Sequence, residues 1–289
     1  SFPTRRSSDL GNREIANPKN GFIWDYCKRA GVSYRTYGEF ADDFKPNIPS
    51  IANHFCTYFP SFDQQIMDTL RFNRWRRDFD SLLVKNQVPR FNSLRFPNDH
   101  TEGQRIGAKT PYAYVADNDY AIGLFVEHLS KSPIWKETAI FIVEDDAQNG
   151  SDHVDAHRTT AYVAGGFVKR GFVDHTPYST SSMLRTMELI LGLPPMSQYD
   201  ASATPMFRSF SKTADTRPFT HILPKVNLFE KNTKETASAR LSEKFDFSKE
   251  DSAPDLELNQ VIWKAVRGED SEMPAPRRAA ILHTVEDED

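Results

Sequence analysis

Three acids and two histidines crowd the middle of this chain. Glu144, Asp145 and Asp146 follow directly on the apolar run Ile140-Phe141-Ile142-Val143, and His153 and His157 come soon after, all within fourteen residues. A β-branched run of this length reads as a buried strand that delivers adjacent carboxylates at its C-terminal end. Carboxylate oxygens combined with imidazole nitrogens hold a divalent cation and suit zinc, manganese or iron. Open α/β sheets bind their ligands outside the carboxyl ends of the strands. One acid after a strand is ordinarily a solvated turn. This density of titratable groups points instead to a metal or catalytic site.

The rest of the composition narrows the field. The chain has 289 residues, 38% of them hydrophobic, which is enough core for one large domain or one and a half. Its formal net charge is -4 with no basic block, which argues against a nucleic-acid partner. The aromatic residues read as core rather than as a base-stacking platform. No apolar run approaches the ~20 residues a membrane span needs. Cys27 and Cys56 are too few to define a disulfide framework and read as two free thiols, with pairing left open. Residues 1–10 have neither an initiator Met nor an apolar stretch, so they are not a signal peptide. They resemble the translation of a sequencing adapter, the other reading being a disordered polar tail. They are set aside from fold reasoning, and the natural chain is expected to have been cut upstream of about Gly11.

Elements that must position the acids can be read on both sides of them. Phe22, Ile23, Tyr26 and Cys27 sit at helical spacing and Gly31 closes the helix. Residues 32–40 alternate and read as a strand, 42–62 are irregular, and 64–85 suit an amphipathic helix or two. A second strand at 90–96 ends in the polar turn 97–103. Asp117 is expected to cap a helix over 117–129. The strand 138–143 carries the acids. Another strand is expected over 160–168, with Gly165-Gly166 at a bulge or a close approach. A helix over 179–191 has Ser179 or Thr180 as its cap, Met183, Leu184, Met187, Ile190 and Leu191 as its inner face, and Gly192 as its stop. Past about residue 215, Lys, Glu, Ser and Pro dominate, with helical patches at 256–266 and 277–282 and a disordered end at 286–289. The alternation of strands and helices predicts an α/β fold, a three-layer α/β/α sandwich. The expected organisation is a tail at 1–10, a main domain at 11–213 and a helical or irregular extension at 214–289.

The string Val143-Glu144-Asp145-Asp146, followed by Gly150-Ser151-Asp152-His153-Val154, resembles the metal-binding segment of phosphoesterases of the alkaline phosphatase superfamily. The closest branch is the phospholipase C and acid phosphatase type. The longer run through Asp155-Ala156-His157-Arg158 is similar to a bacterial subgroup often fused behind a β-propeller. Pro97-Asn98-Asp99-His100-Thr101 matches that subgroup's upstream histidine motif, and Asn17-Pro18-Lys19, Gly21-Phe22-Ile23-Trp24-Asp25 and Val32-Ser33-Tyr34-Arg35 also look like it. The likeness runs from about Gly11 to Phe210. It implies metal-dependent hydrolysis of a small-molecule or lipid phosphate ester, with zinc, manganese, iron or calcium as the cation. It also implies export to the periplasm or beyond, and an upstream β-propeller in the full-length protein.

The same resemblance makes Asp145 and Asp146 metal ligands, and His100 and His153 the groups that bind the phosphoryl or protonate the leaving oxygen. Asp99 is a further possible site residue, and Glu144 either supports the ligands or is structural. His157 and Arg158 belong to the subgroup motif alone. Arg158 is either a phosphate clamp or a surface ion pair. The family's first-strand ligands and its Ser or Thr nucleophile have no counterpart in this chain, which is therefore expected to be an N-terminally incomplete fragment. Thr101 and Ser179 carry hydroxyls, but a turn or cap role explains each better than a nucleophile's. A binding module that keeps the fold without catalysis, or a sulfatase-type or mutase-type member of the superfamily, are the rival readings. His54, His128, His175, His221 and His283 read as structural or solvated.

Overall fold

The computed structural model describes residues 17–42, 44–145, 150–152 and 154–278. Helices and short strands are mixed along the chain, an α/β fold whose sheets are two-stranded among the described residues. The chain divides into two compact units, both discontinuous in sequence. The first takes residues up to Asn98, Asp117–Phe141 and Val163–Pro224. The second takes Asp99–Ala116, Ile142–Tyr162 and the chain from Lys225 onward.

In the first unit, helix α1 (Ile23–Arg29) begins where the Asp25 carboxylate accepts the Phe22 N–H at 2.8 Å. It ends in a Schellman motif. Gly31 takes φ +66, its N–H donates to Lys28 O, and the buried Val32 donates to Cys27 O. Strand β1 (Tyr34–Tyr37) follows at once, and a small hairpin, β2 (Ala41–Asp42) with β3 (Lys45–Pro46), occupies the stretch expected to be irregular. Helix α2 (Asp68–Val84) returns the chain so that strand β4 (Phe91–Leu94) lies parallel to β1, Tyr34 opposite Phe91 and Tyr37 opposite Leu94. A parallel pair needs such a crossover, so β1, α2 and β4 form a βαβ unit. Ile23, Trp24, Cys27, Val32, Tyr34 and Ile51 make the core beneath it. Cys27 and Cys56 are both buried, free thiols.

Helix α3 (Pro111–Ser130) starts six residues before the expected Asp117. Proline occupies its first position, and Thr110 Oγ1 accepts the Ala113 N–H at 3.2 Å, so threonine is the cap. Asp117 lies inside the helix, fully buried, and caps a different one. Its carboxylate accepts the Asp68 N–H at 2.6 Å and the Thr69 hydroxyl at 2.8 Å, both in the first turn of α2. Spacing marks an Asp as a cap but cannot say whose.

Strand β5 (Ala139–Val143) pairs with β6 (Ala161–Gly165). Glu144 N–H donates to Thr160 O, and Gly166 N–H donates to Thr138 O, a register in which the strands run antiparallel. The two glycines allow a close approach. A Cβ on Gly165 would lie 2.3 Å from Thr138 O, and one on Gly166 2.7 Å from Lys136 Cα. Helix α4 (Thr180–Leu191) is capped by Ser179, whose side chain accepts the Ser182 N–H, and stops at Gly192 with φ +76. Its inner face departs from expectation. Met183 is buried, but Ile190 is 51% exposed and Glu188 is buried in its place. Arg185 and the Met196 N–H both bind the Glu188 carboxyl and draw it inward. The short helix α5 (Gln198–Ser202) follows.

In the second unit, α6 (Ala237–Ser242) packs with α7 (Asp255–Arg267), which covers the expected helical patch at 256–266. The patch at 277–282 and the end at 286–289 fall almost wholly outside the described residues. No described helix is long and apolar enough to cross a membrane.

Candidate active site

The candidate residues of the second unit come from two pieces of backbone. The first is the end of β5. Glu144 is fixed there from three sides: its N–H donates to Thr160 O, its carbonyl accepts the Thr159 hydroxyl at 2.6 Å, and its carboxylate accepts the Thr160 hydroxyl at 3.3 Å. The second piece is the 3-10 turn Asn98–His100, directly after β4.

Asn98 is anchored within the first unit. Its N–H donates to Asp68 Oδ2 at 2.9 Å and its amide to Asp117 Oδ2 at 2.8 Å, in a buried network with Arg71 and Asn118. Burial raises Asp68 to about 6, against the pull of Arg71. This anchor fixes the residue that immediately precedes Asp99.

The turn and the strand end meet electrostatically at Glu144. Loss of hydration pushes its carboxyl above the ordinary carboxylate range, the charges of Asp99 and Asp145 push it further, and the Thr160 hydroxyl and His100 oppose them. Asp99, His100 and Asp145 thus each lie within electrostatic reach of Glu144. Carboxylates and an imidazole are donors of the kinds that a divalent cation takes. Among the described residues alone, no group of three or more His, Cys, Asp or Glu side chains is arranged to hold a metal ion. Asp146 and His153 lie outside the described residues.

His100 has a neighbour that its motif did not announce. Its Nδ1 stands 3.9 Å from Oδ1 of Asp251, an acid from the C-terminal segment whose side chain is 7% exposed. The backbone on both sides of this contact is left-handed, with Thr101 at φ 57 and Asp251 at φ 49. A β-branched residue pays for that conformation with steric strain, which accumulates at functional sites. Thr101 is buried and its hydroxyl accepts the Gly103 N–H at 3.1 Å. The loop beyond it is held by the C-terminal segment. The Asn232 amide donates to Gly103 O, Arg105 O and Lys109 O at 3.0–3.2 Å, and the Gln104 amide donates to Val261 O. A Cβ on Gly103, whose φ is +56, would meet Ser242 Oγ at 2.9 Å and push it aside.

The remaining candidates form a separate set of contacts. His157 Nδ1 lies 2.7 Å from the buried Asp155 carboxylate, which also accepts the His157 N–H. Arg158 grips Asp152 with Nε and Nη2. That guanidinium, with the Val154 and Asp155 N–H groups, lowers Asp152 to about 2. Asp152 and Asp155 stand in the same string as the sequence candidates, and the two-residue spacing of Asp155 and His157 was a usable signal. Nothing in the linear pattern pointed to Asp251 or Asn232.

The Phosphoesterase family model matches residues 6–194. The chain belongs to the Phosphoesterase family. The matched span contains β5 and its acids, the Asn98–His100 turn and the Asp152 to Arg158 contacts. Membership in the Phosphoesterase family makes phosphate-ester hydrolysis the general chemistry of this chain and agrees with its α/β fold. No curated protein matches it.

Proposed function

We propose that the protein hydrolyses a phosphate ester of a small molecule or lipid at a divalent-metal centre. Asp145 and Asp146 hold the cation, which is zinc, manganese, iron or calcium. When bound, it neutralises negative charge developing on the phosphoryl oxygens. His100 and His153 bind the phosphoryl group or hand a proton to the leaving oxygen, a task suited to an imidazole near neutral pH. Asp99 adds negative charge beside the ligands, and Glu144, pinned by Thr160, orients them. Asp155 and Asp152 hold His157 and Arg158 as supports of the loop. The observation that carries this reading is the convergence of Asp99, His100 and Asp145 on the Glu144 carboxyl.

The test measures metal content and turnover on an aryl phosphate monoester and diester, with the protein expressed from its full reading frame. Asp145→Ala and Asp146→Ala should each lose metal and at least about a hundredfold in kcat/KM, or ~2.7 kcal/mol. Unchanged turnover in both variants would sink the assignment. Bound metal with no turnover on either ester would favour a binding module.

A further inference from the structure

Two segments of the first unit, residues 166–176 and 207–217, lie side by side and form a face that the catalytic reading does not use. Val168 bridges to Phe210, Lys169 N–H donates to Ser209 O, Ser211 N–H donates to Phe167 O, and Asp215 N–H donates to Gly166 O. The backbone of this face is therefore fixed. Val168 is buried, but three apolar side chains of this face are exposed: Val173 is 69% exposed, Phe207 64% and Phe172 47%. A folded protein seldom leaves two phenylalanines and a valine in water on one small platform.

The charges around them run against those of the chain. Within the two segments Lys169, Arg170, Arg208, Lys212 and Arg217 stand against Asp174 and Asp215 alone, an excess of three positive charges on a chain whose net charge is -4. Both acids are already engaged. Asp215 pairs with Arg170 and Arg217, and Asp174 accepts hydrogen bonds from Ser209, Tyr178 and the Thr176 N–H. Lys169 lies with its ammonium 4.7 Å from the Phe172 ring centroid, which places a cation beside an exposed aromatic. Between the two segments runs an open cleft of about 450 Å³, lined by Lys169, Arg170, Arg217 and the hydroxyls of Ser211 and Thr213. The Arg170 Nε in that cleft is buried and stands 3.5 Å from Asp215 Oδ2.

We propose that this face docks the protein on an anionic lipid bilayer. Phe172, Val173 and Phe207 would enter the headgroup region, and the cationic rim would pair with lipid phosphates. Aromatic and aliphatic side chains ringed by Lys and Arg are what an interface between water and anionic headgroups selects. The charge excess separates this occupant from a second copy of the chain, which is itself anionic overall but would present the same cationic face in a symmetric dimer. The proposal does not depend on the metal centre, and its test needs no turnover.

The experiment is flotation of the intact protein with vesicles of phosphatidylcholine alone and with 30% phosphatidylserine. Binding should appear with the anionic vesicles and fall as salt rises. Lys169→Gln with Lys212→Gln should weaken it about fivefold per charge removed, equivalent to ~1 kcal/mol each. Phe172→Ser with Val173→Ser, both at exposed positions, should weaken it at least tenfold while circular dichroism and Tm stay unchanged. No binding to anionic vesicles would overturn the proposal. So would equal binding by correctly folded variants, or a dimer whose interface is lost in the Phe172→Ser variant.

Discussion

Glu188 carries the sharpest energetic consequence of this fold. Its carboxyl and that of Asp200 are both buried, and both accept the same Met196 N–H, at 3.2 and 2.6 Å. Two carboxylates cannot both keep their charge at such a site. Burial first, and then the hydrogen bond to Asp200, raises Glu188 to about 7. Burial would raise Asp200 too, but the hydrogen bonds from Glu188, Ser197 and Met196 outweigh it and bring Asp200 to about 2. Glu188 therefore keeps a proton when folded that it releases near 4.5 when unfolded. The stability this confers is complete below about pH 4.5 and is lost as pH rises through about 7. The shift corresponds to about 3 kcal/mol.

Glu188→Gln keeps a carbonyl for Arg185 and Met196 and an N–H donor for Asp200, and it cannot titrate. Urea midpoints from pH 4.5 to 8 should show the variant gaining on the wild type by about 3 kcal/mol, or roughly 5 °C in Tm for a chain this size. The slope that Asp68 contributes is common to both proteins and cancels. A difference between the two proteins that stays constant across this pH range would refute the reasoning.

Two further substitutions test the packing. Asp117→Ala strips acceptors from the Asp68 N–H, the Thr69 hydroxyl and the Asn98 amide and should cost about 3 kcal/mol in urea unfolding. A loss below about 1 kcal/mol would mean that water replaces the carboxylate. Gly165→Ala places a Cβ 2.3 Å from Thr138 O and should cost at least about 3 kcal/mol. Gly123→Ala, whose Cβ would sit at an ordinary 3.5 Å from His221 in the middle of α3, should instead gain up to about 1 kcal/mol. Similar Tm values for these two variants would contradict the close approach of β5 and β6.

Local signals in the sequence carried most of the elements. The Gly31 and Gly192 stops and the Ser179 cap were legible because each depends on a residue's own backbone freedom or on a partner a few positions away, and the Gly165-Gly166 approach because glycine alone lacks the Cβ that Thr138 and Lys136 would meet. Asp117 misled because its partners, Asp68 and Thr69, lie 48–49 residues upstream. Ile190 misled because periodicity scores hydrophobicity alone and gives no weight to the Arg185 and Met196 partners that draw Glu188 inside. The strand end with Glu144 and Asp145 was visible as a break between apolar and acidic runs, and the motif likeness added His100. Asp251 was invisible, because no periodicity or spacing links a residue in a Lys- and Glu-rich segment to a histidine far upstream.

The Asn232 amide clamp sets an order of events during synthesis. The loop after His100 leaves the ribosome early, yet the donor that closes Gly103 O is 129 residues further on. Until that later stretch has emerged, the carbonyls at 103, 105 and 109 lack the amide that draws them together. A chain ending where the matched family span does, at residue 194, would keep the Asn98 anchor of the histidine turn but lose this clamp on the loop beyond it.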